Sequence, residues 1–304
     1  MQMRRQFQIF SDLHLEFRDQ LPKIKTYAPN LILCGDICSH YSIQFSRFFE
    51  FVSVNWKNVF YVPGNHEFYT ENLYSPDTID EIKNKIIMDL EKYKNVHYMD
   101  NFALWINEHN DVVDTEPICN RSKYICIIGS ILWSDPDPEK CILINDFSYI
   151  KKRESVENTE SAENTESAEI IPICPNDISE FNKKSIKYID EAVEKNNDMA
   201  IVVMTHFPPI SDSAQDPIYK DSELDSYFTN KLNNFIYKRP SIKWWIFGHT
   251  HWASCININM TTILTNAIGY KYEEKNMDNE YRYLQLFGHM MNLKDKFSCV
   301  ISVD

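Results

Sequence analysis

Residues 59–67 read VFYVPGNHE, an apolar run of four residues followed at once by a turn and a cluster of polar side chains. A continuous apolar run of this length, bounded by a Pro-Gly turn, predicts a strand that is buried on both faces. Asn65, His66 and Glu67 would then lie at the end of that strand. In an open α/β sheet, functional sites form at that edge.

Four further apolar runs end in the same way, with polar residues directly after them. They are FQIF at 7–10, LILC at 31–34, AIVVM at 200–204 and WWIF at 244–247. The later runs at 255–270 and 297–303 also have the composition of strands. The sequence therefore predicts several buried strands whose polar ends share one edge of a sheet.

Amphipathic helical patterns separate these runs. In 78–93 and 178–194, apolar residues recur every three or four positions, as on the buried face of a helix. Thr78 and Glu81 have capping-box spacing, and Asn176 or Asp177 is expected to cap the second helix. The predicted fold is therefore α/β, with sheet in the middle and helices outside.

The polar residues at the strand ends form a candidate site that holds five of the chain's nine histidines. Its members are Asp12, His14, Asp36, Asn65, His66, His206, His249 and His251. A lone His or Asp after a strand is more often a capping or turn residue. Together, these nitrogen and oxygen donors form the kind of ligand set that binds zinc, manganese or iron.

In the first and last of these clusters, the spacing of the candidate ligands has a physical explanation. Asp12 and His14 are two residues apart, as are His249 and His251, so each pair would face one ion if strand geometry persisted there. Glycines adjoin several of these residues at positions where a side chain would crowd the turn or the metals. These glycines are Gly35, Gly64 and Gly248.

The ordered blocks Asp12-Leu13-His14, Gly35-Asp36, Gly64-Asn65-His66-Glu67, His206 and Gly248-His249-Thr250-His251 resemble the calcineurin-like metallophosphoesterase superfamily. All five blocks occur in order across most of the chain, which makes the resemblance specific. It implies a four-layer α/β/β/α sandwich, with residues 1–304 forming one domain apart from a Glu-rich insertion at 154–169. The stretches DLHLEF, GNHEFY, 129–135 and 266–270 resemble a branch of compact phosphoesterases.

The resemblance also implies a role for each candidate residue. Asp12, His14 and His251 would bind one divalent metal ion. Asn65, His206 and His249 would bind a second ion. Asp36 would bridge the two ions, and His66 would face the substrate as the catalytic residue.

Phosphate ester hydrolysis follows from such a centre, because two divalent ions clamp a phosphoryl group and activate a bridging hydroxide for in-line attack. His66 is expected to donate a proton to the leaving oxygen or to stabilise charge there. Manganese, iron and zinc all fit the ligand set, whereas magnesium fits less well because of the histidines.

One departure from the family narrows the substrate class. The Ser/Thr phosphoprotein phosphatases carry GDxxDRG, but residues 35–41 here read GDICSHY, without the second Asp or the Arg. Because Arg grips phosphate in a bidentate manner, its loss disfavours a protein phosphatase. A phosphodiester or a small phosphomonoester, such as a nucleotide, is the expected substrate. The alternatives are a nucleotide pyrophosphohydrolase and, less favoured, a non-catalytic scaffold.

Composition sets the remaining expectations for the chain of 304 residues. The net charge of −13 argues against nucleic acid as a partner, although the Glu-rich insertion could bind a protein. The sequence contains no apolar run long enough to span a bilayer and no signal peptide, so a cytoplasmic protein without a membrane partner is expected. The eight cysteines form no CxxC pair and are expected to be reduced.

Five residues near the blocks are open to two interpretations. Glu67 could orient a neighbouring ligand or serve as a turn residue. Trp133 and Asp135 could rim the substrate pocket, although a Trp after an apolar strand is more often a core anchor. Phe68 and Tyr69 could stack on a nucleobase, but packing under the loop is the favoured interpretation.

Overall fold

The computed structural model describes residues 5–70, 77–141, 144–154, 169–219, 222–271 and 298–304. Each of the five apolar runs lies within a strand, and these strands are largely buried. Two mixed sheets and one separate hairpin contain the strands of the described ranges. The prediction of buried strands that end in polar clusters is therefore confirmed, but the five strands belong to two sheets and not to one.

The first sheet supplies half of the candidate site. Its strands are β1 (Arg5–Phe10), β2 (Asn30–Cys34), β3 (Asn58–Val62), β4 (Val96–Tyr98) and β14 (Val300–Val303). Their spatial order is β14-β1-β2-β3-β4, with β1 to β4 parallel and β14 antiparallel to β1. Because β1, β2 and β3 are parallel neighbours, the polar clusters that follow them meet at one edge.

The second sheet has seven strands. They are β5 (Phe102–Ile106), β6 (Val112–Val113), β7 (Ile125–Ser130), β10 (Ala200–Thr205), β11 (Ile242–Phe247), β12 (Ser254–Ile258) and β13 (Thr261–Thr265). The order is β12-β13-β11-β10-β7-β5-β6, and the four central strands are parallel. A separate antiparallel pair consists of β8 (Lys151–Glu154) and β9 (Glu169–Pro172).

Six α-helices form in the described ranges, and four of them pack on the two large sheets. They are α1 (Ile43–Asn55), α2 (Ile79–Leu90), α3 (Asp146–Tyr149), α4 (Pro175–Lys195), α5 (Asp225–Phe228) and α6 (Asn233–Tyr237). Helices α1 and α2 pack on β3 and β4, α4 packs on β7, and α6 packs on β12. The sheets face each other where β2 meets β10 and β3 meets β7. This arrangement is the expected α/β/β/α sandwich.

The two helix starts show where local patterns succeed and fail. At α2, Thr78 and Glu81 form the predicted capping box. The prediction that Asn176 or Asp177 caps α4 is wrong, because that helix already begins at Pro175. Proline suits the first helical position, where its missing N–H would have no helical partner. Asp177 instead accepts a hydrogen bond from the Cys174 N–H at 2.8 Å, inside the first turn.

The predicted Glu-rich insertion falls mostly outside the described residues, at 155–168. The strands on either side pair with each other, with Glu154 opposite Glu169, so the segment leaves and rejoins the fold at one place. Core side chains from both sheets form one continuous apolar cluster, and organisation as a single domain stays a prediction. Across the described ranges, no helix has the length and apolar content needed to cross a bilayer.

Candidate metal centre

All eight candidate residues converge where the carboxyl ends of five strands meet. Two follow β1, one follows β2, two follow β3, one follows β10 and two follow β11. The eight are Asp12, His14, Asp36, Asn65, His66, His206, His249 and His251. The chain thus brings together side chains that lie up to 239 positions apart in sequence, from 12 to 251.

One set of donors, the first ligand group, joins the loops after β1 and β11. It consists of Asp12, His14 and His251, whose potential ligand atoms lie within 4.8 Å of one another. The Nε2 atoms of His14 and His251 are 2.9 Å apart, and His251 Nε2 is 3.5 Å from Asp12 Oδ1. Two imidazoles and a carboxylate thus point at one position.

The second ligand group joins the loops after β3, β10 and β11. His206 Nε2 lies 3.0 Å from Asn65 Oδ1 and 3.2 Å from His249 Nδ1. Asp36 completes a set of donors with the two histidines, again within 4.8 Å. An amide oxygen, two imidazoles and a carboxylate therefore share a second position.

Asp36 stands between the two groups. Its Oδ2 is 3.8 Å from His14 Nε2 in the first group, and its Oδ1 is 3.5 Å from His206 Nε2 in the second. The side chain is almost completely buried, and Oδ1 also accepts a hydrogen bond of 2.9 Å from the His66 N–H. One carboxylate thus presents a different oxygen to each group.

The spacing and chemistry of these donors fit divalent metal ions. Two imidazole nitrogens bound to one ion, each at about 2.1 Å, lie about 3.0 to 3.4 Å apart. The His206–His249 nitrogen pair, at 3.2 Å, lies within that range, and the His14–His251 pair, at 2.9 Å, lies just below it. Imidazole nitrogens with carboxylate and amide oxygens suit zinc, manganese and iron.

The backbone at the site differs from the prediction that strand geometry persists through the clusters. Strand β1 ends at Phe10, and both Asp12 and His14 adopt left-handed conformations, with φ of 56° and 45°. Three other donor residues do the same: Asp36 at 51°, His249 at 74° and His251 at 51°. Their side chains converge because of these turns, and each such residue costs about 1–3 kcal/mol of strain.

Backbone hydrogen bonds between neighbouring loops hold these strained turns. The Asp12 N–H donates to the Gly35 carbonyl at 2.9 Å, and the His14 N–H donates to the Asp36 carbonyl at 3.0 Å. The His249 N–H donates to Asp12 Oδ1 at 2.9 Å and so ties the second sheet to the first. Because the surrounding structure determines each turn, the strain persists in the folded protein.

The glycine at position 64 is required by close approach, as the sequence predicts. A Cβ atom there would lie 2.1 Å from Asp36 Oδ1 and 2.7 Å from His206 Cε1. Both atoms belong to side chains of the second ligand group, so neither can move without disturbing it. Any larger residue at this position would displace the donors themselves.

Burial dominates the electrostatics of the donors. It raises the pKa of Asp12 to about 6 and raises that of Asp36 well above its usual range. It lowers the pKa of His206 to about 3, and that of His249 well below its ordinary value. Neutral imidazoles can bind a metal, and cations at the two positions would offset the cost of burying the carboxylates.

Hydrogen bonds to residues outside the candidate set orient the donors. Among these residues, Asp146 is one that the sequence analysis missed. His206 Nδ1–H donates to the Cys34 carbonyl at 2.8 Å, which leaves Nε2 free to face the second group. The Asn65 amide nitrogen donates to Asp146 Oδ1 at 3.0 Å, which directs its oxygen toward His206. Tyr69 and Tyr227 hydroxyls also donate to the Asp146 carboxylate.

Glu16 is the second residue that the sequence missed. Its Oε1 lies 3.3 Å from His14 Nδ1 and 3.3 Å from His66 Nδ1, so one carboxylate contacts a ligand candidate and the catalytic candidate together. Burial raises the pKa of Glu16, but the hydrogen bonds from these two histidines outweigh it and lower the pKa to about 2. Glu16 belongs to the quoted stretch DLHLEF, which was the available signal.

His66 lies beside the two groups and faces open space. Its ring stacks on Tyr69 with centroids 4.3 Å apart, and its Nε2 is 3.4 Å from the Tyr270 hydroxyl. The same Nε2 lies 4.0 Å from Asp36 Oδ2. Burial lowers the pKa of His66, but the nearby carboxylates of Asp36 and Glu16 outweigh it and raise the pKa to about 9.

Glu67 supports the loop that carries Asp36. The side chain is fully buried and accepts hydrogen bonds from the backbone N–H groups of Gly64 at 2.6 Å, Asp36 at 3.0 Å and Ile37 at 2.7 Å. It therefore fixes the loops after β2 and β3 to each other. The interpretation of Glu67 as a residue that orients a ligand is the one that fits these contacts.

We expect Glu67→Ala to destabilise the fold by about 3 kcal/mol or more, because it leaves three buried N–H groups without their acceptor. Thermal unfolding of the metal-free protein measures this loss. Glu50→Ala, on the exposed face of α1, is the matched control and should change stability by no more than about 0.5 kcal/mol. Equal stability of both variants would contradict the supporting role of Glu67.

Trp133 and Asp135 were the candidates for the pocket rim, and the structure places neither of them in the lining of the pocket. Trp133 is buried in an aromatic cluster, with ring centroids 5.4 Å from Phe207 and 5.8 Å from Phe181. Asp135 accepts a hydrogen bond of 2.6 Å from the Ser179 hydroxyl on the surface of α4. Trp133 is therefore a core anchor, as a Trp after an apolar strand usually is.

Comparisons with known proteins agree with this geometry. The sequence profile of calcineurin-like phosphoesterases matches residues 6–253. An uncharacterized protein of Acanthamoeba polyphaga mimivirus is 31% identical over 299 residues, which span 91% of this chain and 95% of that protein. The crystal structure of phosphopantetheinyl hydrolase from Mycobacterium tuberculosis has the same fold, with a TM-score of 0.63. The two sequences are 14% identical, and the superposition covers 100% of this chain and 97% of that one.

The family match includes the strands that carry the candidate residues of both ligand groups. This chain belongs to the calcineurin-like phosphoesterase family and is a metal-dependent hydrolase of phosphoric esters.

Proposed function

We propose that the chain hydrolyses a phosphodiester or a small phosphomonoester with two divalent ions held side by side. The observation that carries the proposal is the position of Asp36, whose two oxygens each face a histidine of a different ligand group. Asp12, His14 and His251 would hold one ion, and Asn65, His206 and His249 would hold the other. When bound, such a pair of ions activates water and stabilises negative charge on the phosphoryl group.

The remaining chemistry falls to His66, which we assign as the catalytic residue. Its Nδ1–H donates to Glu16, so its Nε2 faces the cavity in which the leaving oxygen would lie. A positioned imidazole at that place can give a proton to the leaving oxygen. The stacked Tyr69 ring restricts rotation of the imidazole and so keeps Nε2 directed at the substrate.

The cavity above the donors favours a small substrate. It has a volume of about 490 Å³ and is lined by Asp36, Asn65, Tyr227, His249 and Thr250, among others. Asp146 lines this cavity without being one of the proposed ligands, and its carboxylate adds negative charge that disfavours substrates with several phosphates. A nucleotide pyrophosphohydrolase is therefore the second candidate, supported by the same donors but opposed by this charge.

Metal analysis combined with a substrate panel tests the proposal. Purified protein loaded with manganese, iron or zinc should hold two ions per chain and should release p-nitrophenol from bis(p-nitrophenyl) phosphate or p-nitrophenyl phosphate. Chelation should abolish turnover, and added metal should restore it. A single ion per chain, or release of phosphate only from phosphoanhydrides, would overturn the proposed function.

Glu16 acts in this scheme as a positioning residue for His66. We expect Glu16→Gln to lower kcat by about 10- to 100-fold at saturating metal, the usual cost of losing such an outer hydrogen-bond partner, with little change in KM. If Glu16 acts through His66, adding Glu16→Gln to His66→Asn should lower kcat no further. Steady-state kinetics of the single and double variants measures this, and full additivity would contradict the assignment.

A further inference from the structure

We propose that the leaving group of the substrate carries a flat aromatic ring, which stacks in a second cavity on the far side of His66. This inference rests on the proposed function, because it uses His66 to locate the leaving oxygen. The ester would be that of an uncharged alcohol that bears such a ring, and a nucleoside has this chemistry.

The second cavity lies beside the cavity above the donors. It has a volume of about 920 Å³ and adjoins the cavity above the donors, because His66, Tyr69, Asn145 and Tyr270 line both. The phosphoryl group would lie over the two ligand groups. An oxygen that leaves beside His66 must therefore carry the rest of its alcohol into the larger cavity.

Four aromatic side chains besides His66 line part of this larger cavity. Tyr69 and Tyr149 stack on each other with centroids 5.3 Å apart on one side of His66. Phe17 and Tyr270 meet edge to face at 5.7 Å on another. Phe17 is 60% exposed although it is a large apolar side chain, and it lines the cavity. Exposed rings beside a catalytic site offer faces on which a planar ligand stacks.

The charges of the cavity indicate an uncharged leaving group. Glu16 lines it but is already paired with His66 at 3.3 Å. Lys271 lies at the rim and is paired with Asp19 at 3.3 Å. Hydroxyl and amide groups of Ser39, Ser42, Thr70 and Asn145 complete the lining. These groups can hydrogen-bond the heteroatoms of a sugar or a base, as expected for a nucleoside.

A matched pair of esters isolates the effect of the flat ring. Benzyl and cyclohexylmethyl alcohols have similar size and acidity, but only benzyl alcohol is flat and aromatic. We expect the metal-loaded enzyme to show a kcat/KM about tenfold higher or more for the benzyl ester, in the monoester or the diester series that it accepts. Adenosine 5′-monophosphate and ribose 5-phosphate form a second pair, with the same expected preference if monoesters are accepted.

Two variants test whether a preference for the benzyl ester depends on the second cavity. Phe17→Ala and Tyr149→Leu should each reduce the benzyl-to-cyclohexylmethyl ratio by about fivefold. Tyr237→Ala is the matched control, because Tyr237 is 62% exposed on α6 and outside the lining of both cavities. It should leave the ratio unchanged.

The outcomes separate the two proposals. A ratio near one in the native protein, or a ratio that neither Phe17→Ala nor Tyr149→Leu alters, overturns the aromatic cavity while ester hydrolysis stands. Failure to hydrolyse any phosphate ester, including the p-nitrophenyl esters, in the metal-loaded protein overturns the proposed function, and the inference falls with it.

Discussion

Replacing Asp36 by Asn is expected to remove bound metal from both positions and to abolish turnover. The substitution preserves the shape of the side chain but removes the negative charge that faces both His14 at 3.8 Å and His206 at 3.5 Å. Losing an outer partner of a metal ligand already costs about 10- to 100-fold in affinity or activity, so losing a shared ligand should cost more. Metal content after desalting and kcat/KM measure the two effects.

Asp135→Asn is the control for the Asp36 prediction. Asp135 is an exposed carboxylate that accepts a hydrogen bond from Ser179, and it lines neither cavity. This control should retain both ions and full activity. Loss of only one ion in Asp36→Asn would assign Asp36 to a single ligand group, and retention of both would remove it from the centre. Thermal unfolding in the presence of a chelator confirms that each variant is folded.

The sequence predicted which residues form the candidate site because their positions follow from strand ends. Five apolar runs specify five buried strands, and parallel strands bring their carboxyl ends to one edge whatever the details of packing. Asn65 and His206 meet at 3.0 Å although they lie on strands of different sheets. The rule about sheet edges does not by itself bring strands of two sheets together, and it was the resemblance to the phosphoesterase superfamily that implied this contact.

The contacts that orient the donors could not be predicted in this way. Glu16 reaches His66 across 50 positions of sequence, and Asp146 reaches Asn65 across 81. Asp146 follows no strand of the predicted sheet. Glu16 lies in the DLHLEF stretch after the first strand, but no spacing or turn signal marks it as a contact of His66. The conformation of Asp12 and His14 was also hidden, because the alternation that suggested a shared face ends with β1 at Phe10. Tertiary hydrogen bonds, which no local pattern encodes, determine these turns.

Glu16 also gives a structural reason for the departure from GDxxDRG. In the motif of the family's phosphoprotein phosphatases, the second Asp comes four positions after the Gly, where this chain has Ser39. Here the Ser39 N–H donates to Glu16 Oε2 at 3.2 Å, and Glu16 in turn contacts His66. A carboxylate from a different loop therefore occupies the space beside the catalytic candidate, next to the position where the motif differs.

Replacing His66 by Asn is expected to lower kcat by about 10²- to 10⁴-fold while both ions stay bound, because removing a general acid slows only proton transfer. The loss should be greater for an alkyl phosphate ester than for a p-nitrophenyl ester, since a good leaving group needs less protonation. Steady-state kinetics with both ester types, together with metal analysis, measures these effects.

The metal content decides between two roles that the geometry of His66 allows. Its Nε2 lies 4.0 Å from Asp36 Oδ2, and with His14 and Asp36 it forms a third set of donors within 4.8 Å. If His66 were a ligand, His66→Asn would lose metal and slow all esters equally. His109→Asn, at a surface histidine with 64% side-chain exposure, should change neither metal content nor rate. A variant with both ions and a leaving-group-dependent loss of rate would place His66 at the leaving oxygen, because only a proton donor acts in proportion to the basicity of that oxygen.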